Sequence, residues 1–204
     1  MEHILKNKHY IVLDDFISTT LQNQIYDTLD NKFCEFDWYY YDKTVSDKDL
    51  YKKRYKDLLK NVVDTGQFVH TFLLKTNGEV STSPHLHLVY KIVSEVFMKY
   101  NIKGGEIIRA KANFILNSRN ANKNTHSQPH RDQDGSHTVF LYYVNDSDGD
   151  TFLFNDDGTI RDKITPKKGR LLIFNGEILH ASSNPVNHSK RWVINIDMES
   201  EYEY

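Results

Sequence analysis

Apolar and polar residues are patterned differently in the two halves of the chain, and the change falls near Gly105. Before it, apolar residues spaced three and four apart predict two amphipathic helices. One runs from about 19 to 30 behind a capping Ser18, and the other is opened by Pro84 and ended by Gly104. The aromatic and β-branched runs "HYIVLDDFI", "WYYYDKTV" and "QFVHTFLL" predict strands in the same half, which is therefore mixed α and β.

After Gly105 the pattern becomes a series of short apolar runs separated by turn clusters such as "NDSDGD", "NDDG" and "NPVNHS". Several short strands at this spacing predict a sandwich or a jelly roll. No repeat or Pro/Gly-rich linker divides the 204 residues, so a single domain is expected. The predicted strands are "EIIRAKANFIL", "SHTVFLYYV", "DTFLF", "GTI", "GRLLIF" and "RWVINIDM".

Composition and charge place the chain among globular proteins. Hydrophobic residues make up 39% and charged residues 26%, and the net charge is −2. This balance argues against a duplex-DNA footprint, which needs a basic face, and the basic run at 51–60 is patterned as an amphipathic helix. The start "MEHILKNKHY" lacks a signal-peptide core, and no apolar run is long enough to span a membrane. With Cys34 as the only cysteine, a cytoplasmic protein without a membrane partner is expected.

The stretch "SQPHRDQDG" places His130 and Asp132 two positions apart, a spacing that chance alone supplies about once in such a chain. A metal site of two histidines and one carboxylate needs a third ligand from another strand, and His180, which follows the predicted strand "RLLIFNGEIL", is the best candidate. A zinc pair of His126 and His130 is disfavoured because Pro129 interrupts the helix that this spacing requires.

The last strand, "KRWVINID", adds an independent observation. Alternation places Arg191 on one face with Val193, Asn195 and Asp197, whereas Lys190 points the opposite way. If that face looks into the barrel, Arg191 can hold a carboxylate through two parallel hydrogen bonds. An arginine that reaches solvent from a strand end is the alternative.

These residues together resemble the Fe(II)/2-oxoglutarate-dependent dioxygenases, and the details are similar to the prolyl-4-hydroxylase-like branch with its small phage-type members. The resemblance rests on the His-x-Asp motif, a histidine about fifty residues later, and a basic residue about ten positions further on. "LYYVND" before "GDTFLF", and "GRLLIFNGEILHAS", resemble strands of that branch. The resemblance implies a mainly β, cupin-like double-stranded β-helix with flanking helices, with its core over 106–199 and a supporting region over 1–105.

The resemblance also implies the residue roles. His130, Asp132 and His180 are expected to bind Fe(II) and form the catalytic centre, and Arg191 is expected to bind the distal carboxylate of 2-oxoglutarate. Tyr143 matches a position that donates a hydrogen bond to this cosubstrate.

Two departures from the family pattern bear on the cosubstrate site. Phe114 and Ile115 stand where many relatives have a tyrosine, so Asn113 is a candidate for that contact. The spacing to Arg191 is slightly long, which keeps Lys190 as an alternative.

The expected function is oxidation of a C–H bond with Fe(II), 2-oxoglutarate and O₂, with ascorbate supporting turnover. A peptidyl prolyl or other amino-acid side chain is the first expected substrate and a small metabolite the second, whereas nucleic acid is disfavoured. A non-catalytic jelly-roll module, structural or sugar-binding, is the rival from another class. The Asn-, Lys- and Tyr-rich composition suggests a phage gene, whose product would act in the host cytoplasm, and the oligomeric state is left open.

Two polar loops of the second half also need an interpretation. Asp146, Asp148 and Asp150 have calcium-loop spacing, but Thr151 stands where such a loop needs glycine and no helices flank it, which favours a turn between strands. The loop 117–128 is long for a compact domain and is expected to be a flap near the site or simple surface slack.

Overall fold

Two antiparallel sheets face each other, and two helices cover the outer face of the larger one. The computed structural model describes residues 10–32, 35–44, 58–76, 78–100 and 105–199. The predicted fold class, a mainly β jelly roll with flanking helices, is confirmed. In chain order the elements are β1 (Tyr10–Leu13), α1 (Thr19–Leu29), β2 (Tyr39–Tyr41), a 3₁₀ turn (Leu58–Asn61), β3 (Gln67–Thr76), β4 (Glu79–Thr82), α2 (Leu86–Tyr100), β5 (Ile107–Leu116), β6 (His137–Tyr143), β7 (Thr151–Phe154), β8 (Ile160–Ile164), β9 (Leu171–Asn175), β10 (His180–Ser182) and β11 (Lys190–Glu199).

Both predicted helices are present. The Ser18 hydroxyl caps α1 by accepting a hydrogen bond from the backbone N–H of Leu21 at 3.3 Å. Helix α2 begins two residues after Pro84, and the predicted stop at Gly104 lies outside the described residues. The apolar stripes of both helices are buried against the sheet, through Ile25 and Leu29 of α1 and Leu88, Val89, Ile92, Val93 and Val96 of α2.

The larger sheet has the strand order β1-β9-β6-β11-β5-β3-β2, with β4 added beside β3, and the smaller sheet has the order β10-β7-β8. Strand β11 lies between β5 and β6 and pairs with both. Its alternate side chains enter two different cores: Trp192, Ile194 and Ile196 pack under the helices, whereas Val193 packs between the sheets. The inner face of the larger sheet therefore forms one wall of the barrel interior.

The strands of the second half are confirmed with one correction that concerns the site. The sequence was interpreted as one strand, "RLLIFNGEIL", running up to His180, but β9 ends at Asn175. The chain then turns, with the N–H of Ile178 donating to the carbonyl of Asn175, and His180 opens the separate strand β10 in the smaller sheet. The polar sequence at the turn, with Gly176 after Asn175, gives a physical reason for the break.

Other boundaries also differ from the sequence pattern. Strand β4 was not predicted because all four of its residues are exposed and leave no apolar signal. "WYYYDKTV" contains only the three-residue β2, and "GTI" supplies only the first residue of β8. Most of the basic run at 51–60 lies outside the described residues.

The polar loop at 117–128 is anchored at its end. The N–H of His126 donates to the carbonyl of Asn61, the N–H of Val63 donates to the carbonyl of His126, and Ser127 donates to the carbonyl of Ser182. Thr125 and His126 are buried. The last residues of the loop are thus part of the packed structure rather than surface slack.

The calcium-like sequence forms a turn between β6 and β7, as predicted. Asp148 accepts backbone hydrogen bonds from Val186 at 3.0 Å, Asn187 at 2.8 Å and His188 at 3.2 Å. Burial raises the pKa of the Asp148 carboxyl, but these hydrogen bonds outweigh it and hold the pKa below its usual range. The carboxylate therefore ties this turn to the loop that leads into β11.

We expect Asp148→Ala to lower the free energy of unfolding by about 1–3 kcal/mol, because three backbone donors lose their acceptor. Urea denaturation of the variant measures this loss, and Glu177→Gln, which changes an exposed carboxylate, is the control. Because the native pKa of Asp148 is depressed, its contribution is present above about pH 4 and declines as the pH falls below that value. Equal stability of Asp148→Ala and the wild type at pH 7 would contradict the role of this carboxylate.

Candidate metal centre and active-site pocket

His130 and His180 lie side by side because their backbones form an isolated antiparallel bridge. The N–H of His130 donates to the carbonyl of His180 at 2.9 Å, and the reverse hydrogen bond measures 3.0 Å. Their ring centroids are 4.6 Å apart. This bridge brings together two histidines that are about fifty residues apart in sequence.

Asp132 completes a cluster with these two histidines. One ligand atom from each of the three residues lies within 4.8 Å of the others, and Nε2 of His180 is 3.2 Å from Oδ2 of Asp132. The Nδ1 atoms of His130 and His180 are each bonded to a backbone carbonyl, at 3.1 Å and 3.0 Å. A carbonyl can only accept a hydrogen bond, so Nδ1 carries the N–H and, in the neutral ring, Nε2 keeps its lone pair for a ligand.

The electrostatics of the cluster suit a metal. Burial, followed by the nearby His180, lowers the pKa of His130 to about 3, so its imidazole is neutral at physiological pH. Burial raises the pKa of Asp132, but His180, Lys111 and Arg109 outweigh it and hold this pKa well below its usual range. Two imidazoles and one carboxylate form the donor set that binds Fe(II) with open coordination positions, so these residues fit the expected ion.

A network of polar side chains fixes the Asp132 carboxylate. Arg109 Nη2 lies 2.5 Å from Oδ1 of Asp132 and 2.7 Å from Oδ2 of Asp197. Asn195 donates to Oδ2 of Asp132 at 3.0 Å, and Gln133 donates to Asp197 at 3.1 Å. Neighbours of this kind orient a metal-binding carboxylate.

Strand alternation predicted that Asn195 and Asp197 share a face with Arg191, but no sequence motif pointed to Arg109 or Lys111. Both lie on β5, where alternate residues in "IIRAKANFIL" point inward, so the strand period contained the signal. Lys111 Nζ is 3.9 Å from Oδ1 of Asp132. Burial, then Arg109, lowers the pKa of Lys111, and the two carboxylates oppose this shift.

A pocket with about 490 Å³ of empty space, part of it open to solvent, joins the cluster to Arg191. Arg191 is only 2% exposed. Its Nε donates to the carbonyl of Gly149 and its Nη2 to the hydroxyl of Thr151, both at 2.8 Å, and the Tyr143 hydroxyl donates to Thr151 at 2.7 Å. Among the described residues, no carboxylate oxygen lies within 4.0 Å of this guanidinium.

The structure separates the two candidate cations of the last strand. Lys190 Nζ lies on the outer face, 2.9 Å from Oδ1 of Asp30 and 3.6 Å from the centroid of a Trp192 ring. Asn113 lines the pocket with Arg191 and donates to the side-chain carbonyl of Gln67 at 2.9 Å. Arg191 rather than Lys190 therefore faces the cluster.

The zinc pair weighed from the sequence is not formed. His126 packs against the rings of Phe152 and Phe154, and its Nδ1 is bonded to the carbonyl of Ser127. Within the described part of the chain, one group of His, Cys, Asp or Glu side chains has the geometry to hold a metal ion, and it is the cluster of His130, Asp132 and His180.

Comparison with known proteins finds a family model that matches part of the second half of the chain. The model of the 2OG-Fe(II) oxygenase superfamily matches residues 116–196, a range that includes all three cluster residues and Arg191. This segment, which holds the candidate site, is similar to the 2OG-Fe(II) oxygenase superfamily. The cofactors of this oxygenase are therefore Fe(II), 2-oxoglutarate and O₂, as predicted, and it is an enzyme of the dioxygenase class rather than a non-catalytic module.

Solved structures share the fold of this oxygenase at low sequence identity. A 2OG-Fe(II) family oxidoreductase from Burkholderia pseudomallei aligns with a TM-score of 0.69 at 10% identity, covering 97% of this chain and 88% of the other. A Trichoplax adhaerens prolyl hydroxylase, solved with a hypoxia-inducible-factor peptide, aligns with a TM-score of 0.64 at 15% identity and coverages of 98% and 87%. A Pseudomonas putida prolyl-4-hydroxylase aligns with a TM-score of 0.58 at 10% identity and coverages of 98% and 97%.

The search of curated proteins returned no match. In the described residues of this oxygenase, no helix is both long enough and apolar enough to cross a membrane.

We expect Arg109→Met to raise the dissociation constant of Mn(II) about 10- to 100-fold, because the Asp132 carboxylate loses the partner that orients it. Isothermal titration calorimetry measures this change, and Lys75→Met, which removes a surface ion pair with Glu106, is the control. In Arg109→Met the carboxylate of Asp197 also loses its partner, which could destabilise the fold. The double variant Arg109→Met/Asp197→Asn removes that second charge and tests whether the loss of Mn(II) affinity comes from misfolding. Unchanged Mn(II) affinity in a folded Arg109→Met protein would contradict the positioning role.

Proposed function

We propose that His130, Asp132 and His180 bind the Fe(II) of this oxygenase, and that Arg191 binds the distal carboxylate of 2-oxoglutarate. The observation that carries the proposal is the buried guanidinium of Arg191, which has no carboxylate partner among the described residues and shares a pocket with two of the three candidate ligands, His130 and His180. A buried cation is unfavourable unless an anion pairs with it. A dianionic cosubstrate in the pocket provides that anion.

The distances along β11 support this arrangement. Arg191 lies four residues from Asn195, which contacts Asp132, so their Cα atoms are about 13 Å apart along an extended strand. Both side chains point to the inner face. That separation leaves room for a short dicarboxylate between the guanidinium and the cluster.

The surrounding residues orient Arg191. Gly149 and Thr151 accept hydrogen bonds from Nε and Nη2 and fix the plane of the guanidinium, which suits two parallel hydrogen bonds to a carboxylate. The Tyr143 hydroxyl, now donating to Thr151, lies beside this position. We assign Tyr143 and Asn113 as further polar contacts for the cosubstrate.

Bound Fe(II) and 2-oxoglutarate supply the activation of O₂, with release of succinate and CO₂, that drives oxidation of a C–H bond. The protein holds the carboxylate of Asp132 and the Nε2 atoms of His130 and His180 in one orientation, and burial keeps the imidazole of His130 neutral. Apolar side chains, among them Val139, Leu141 and Phe174, line the rest of the pocket and limit the access of water.

A side chain of a peptide, prolyl or another residue, is the proposed substrate class, with a small metabolite as the alternative. The Trichoplax enzyme of similar fold was solved with a peptide, which supports the first choice by analogy of fold alone. We further propose that residues 1–204 act as one domain, with 1–105 supporting the core at 106–199. A phage origin and action in the host cytoplasm remain predictions.

We expect the wild type, supplied with Fe(II) and ascorbate, to convert 2-oxoglutarate to succinate above the metal-only background. His130→Ala should reduce this conversion at least about 100-fold, because the two ligands that remain, Asp132 and His180, bind the ion weakly. Succinate quantified by mass spectrometry measures the reaction, and His87→Ala, on the exposed face of α2, is the control. Equal succinate from the wild type and His130→Ala would refute the proposed centre.

We expect Arg191→Met to raise the dissociation constant of 2-oxoglutarate about 10- to 100-fold, since a charge-assisted hydrogen bond is worth about 1.5–3 kcal/mol. Calorimetric titration of the Mn(II)-loaded protein measures it. Lys190→Met changes the neighbouring cation on the outer face and should leave 2-oxoglutarate affinity unchanged. If Lys190→Met lost 2-oxoglutarate affinity and Arg191→Met kept it, Lys190 rather than Arg191 would bind the distal carboxylate.

A further inference from the structure

Lys111 brings a second cation to the pocket, in addition to the one assigned to 2-oxoglutarate. Its side chain is 20% exposed and lines the pocket together with His130 and His180. On the paired strands β5 and β11, Lys111 lies directly opposite Asn195. Cross-strand neighbours have Cβ atoms about 5 Å apart, so these two residues form one polar wall beside the metal cluster.

The carboxylates near Lys111 already have another partner. Arg109 approaches Asp132 to 2.5 Å and Asp197 to 2.7 Å, whereas Lys111 Nζ is 3.9 Å from Asp132, beyond hydrogen-bond distance. Over the described ranges, no other carboxylate oxygen lies within 4.0 Å of Nζ. Arg109 thus holds both carboxylates, and the ammonium group of Lys111 is left facing the pocket.

Asn195 supplies the second, independent observation. Its Nδ2 donates to Asp132, but its Oδ1 is buried and has no hydrogen-bond partner among the described residues. The residue is 7% exposed and lines the same pocket. A buried acceptor without a donor is unfavourable, so a ligand with an N–H or O–H group at this position would be stabilised.

The charges of the site with metal and 2-oxoglutarate bound also leave Lys111 without a counter-ion. A divalent ion beside Asp132 offsets the charge of that carboxylate and weakens its attraction for Lys111. Counted together, the ion, Arg109 and Arg191 carry four positive charges, which balance the four negative charges of 2-oxoglutarate, Asp132 and Asp197. Lys111 is then a cation without a counter-ion next to the place where the substrate must bind.

We propose that Lys111 binds a carboxylate of the substrate while Asn195 Oδ1 accepts a hydrogen bond from an adjacent N–H or O–H group. The substrate class is then an organic acid of the amino-acid type: a free amino acid, the C-terminal residue of a peptide, or an acidic side chain. This inference rests on the proposed function, because the substrate is located relative to the proposed iron ligands.

The test compares acids with their neutral amides on protein loaded with Mn(II) and 2-oxoglutarate. The probes are N-acetyl-L-proline and N-acetyl-L-glutamate, each against the derivative in which every carboxylate is a primary amide, and affinity is measured by calorimetry. We expect the wild type to bind at least one acid about tenfold or more tightly than its amide, because only the acid forms a charge-assisted hydrogen bond with Lys111. Lys111→Met should reduce this preference to less than about twofold, and Lys111→Arg should retain it.

The same titrations separate the possible failures. Equal affinity of acid and amide for the wild type, or no binding of either, would overturn the inference while Mn(II) and 2-oxoglutarate binding still supported the proposed function. A Lys111→Met protein that lost 2-oxoglutarate affinity as severely as Arg191→Met would also overturn it, because Lys111 would then hold the cosubstrate. If the wild type bound neither Mn(II) nor 2-oxoglutarate, the proposed function itself would fail. Thermal unfolding monitored by circular dichroism checks that Lys111→Met is folded.

Discussion

The register of β11 between β5 and β6 is the constraint on which the rest of the site depends. Its outward side chains, among them Trp192 and Ile194, are buried under the two helices, so the hydrophobic effect fixes which residues face outward. The alternate residues, including Arg191 and Asn195, then necessarily face the pocket. A slip of one residue would exchange the two sets and put Lys190 in the pocket in place of Arg191.

Burial of several charges close together is the cost of this arrangement, and shared hydrogen bonds offset it. Arg109 serves both Asp132 and Asp197, so one guanidinium stabilises two carboxylates that would otherwise repel each other. Burial, then the charge of Asp132, raises the pKa of Asp197, which reduces that repulsion further. The two cations that lack such compensation, Arg191 and Lys111, both face the cavity. The unbalanced charge is therefore located where anionic ligands are expected to bind.

The sequence predicted the jelly roll, both helices and most strands because each has a clear apolar period. It also predicted that Arg191 and Lys190 point in opposite directions, which follows from strand alternation alone. It did not predict β10, because three residues beside a turn carry too little pattern. The need for glycine at position 149 could not be predicted either. A Cβ there would lie 3.0 Å from Cδ of Arg191, and only the packed structure brings these two residues together.

Local and long-range information contribute differently to the site. His130 and Asp132 are only two positions apart in sequence, but their placement depends on the backbone bridge to His180, which joins the start of β10 to the segment before β6. The residues that orient the cluster come from β5 and β11, and each of them is unremarkable in sequence because an inward polar residue on a strand has no motif. Such residues become recognisable only when their partners are known, since Arg109 acquires its role from Asp132 and Asp197 together. By the same reasoning, the superfamily motif indicates the chemistry, whereas we expect the polar residues on β5 and β11 to select the molecule that is presented to it.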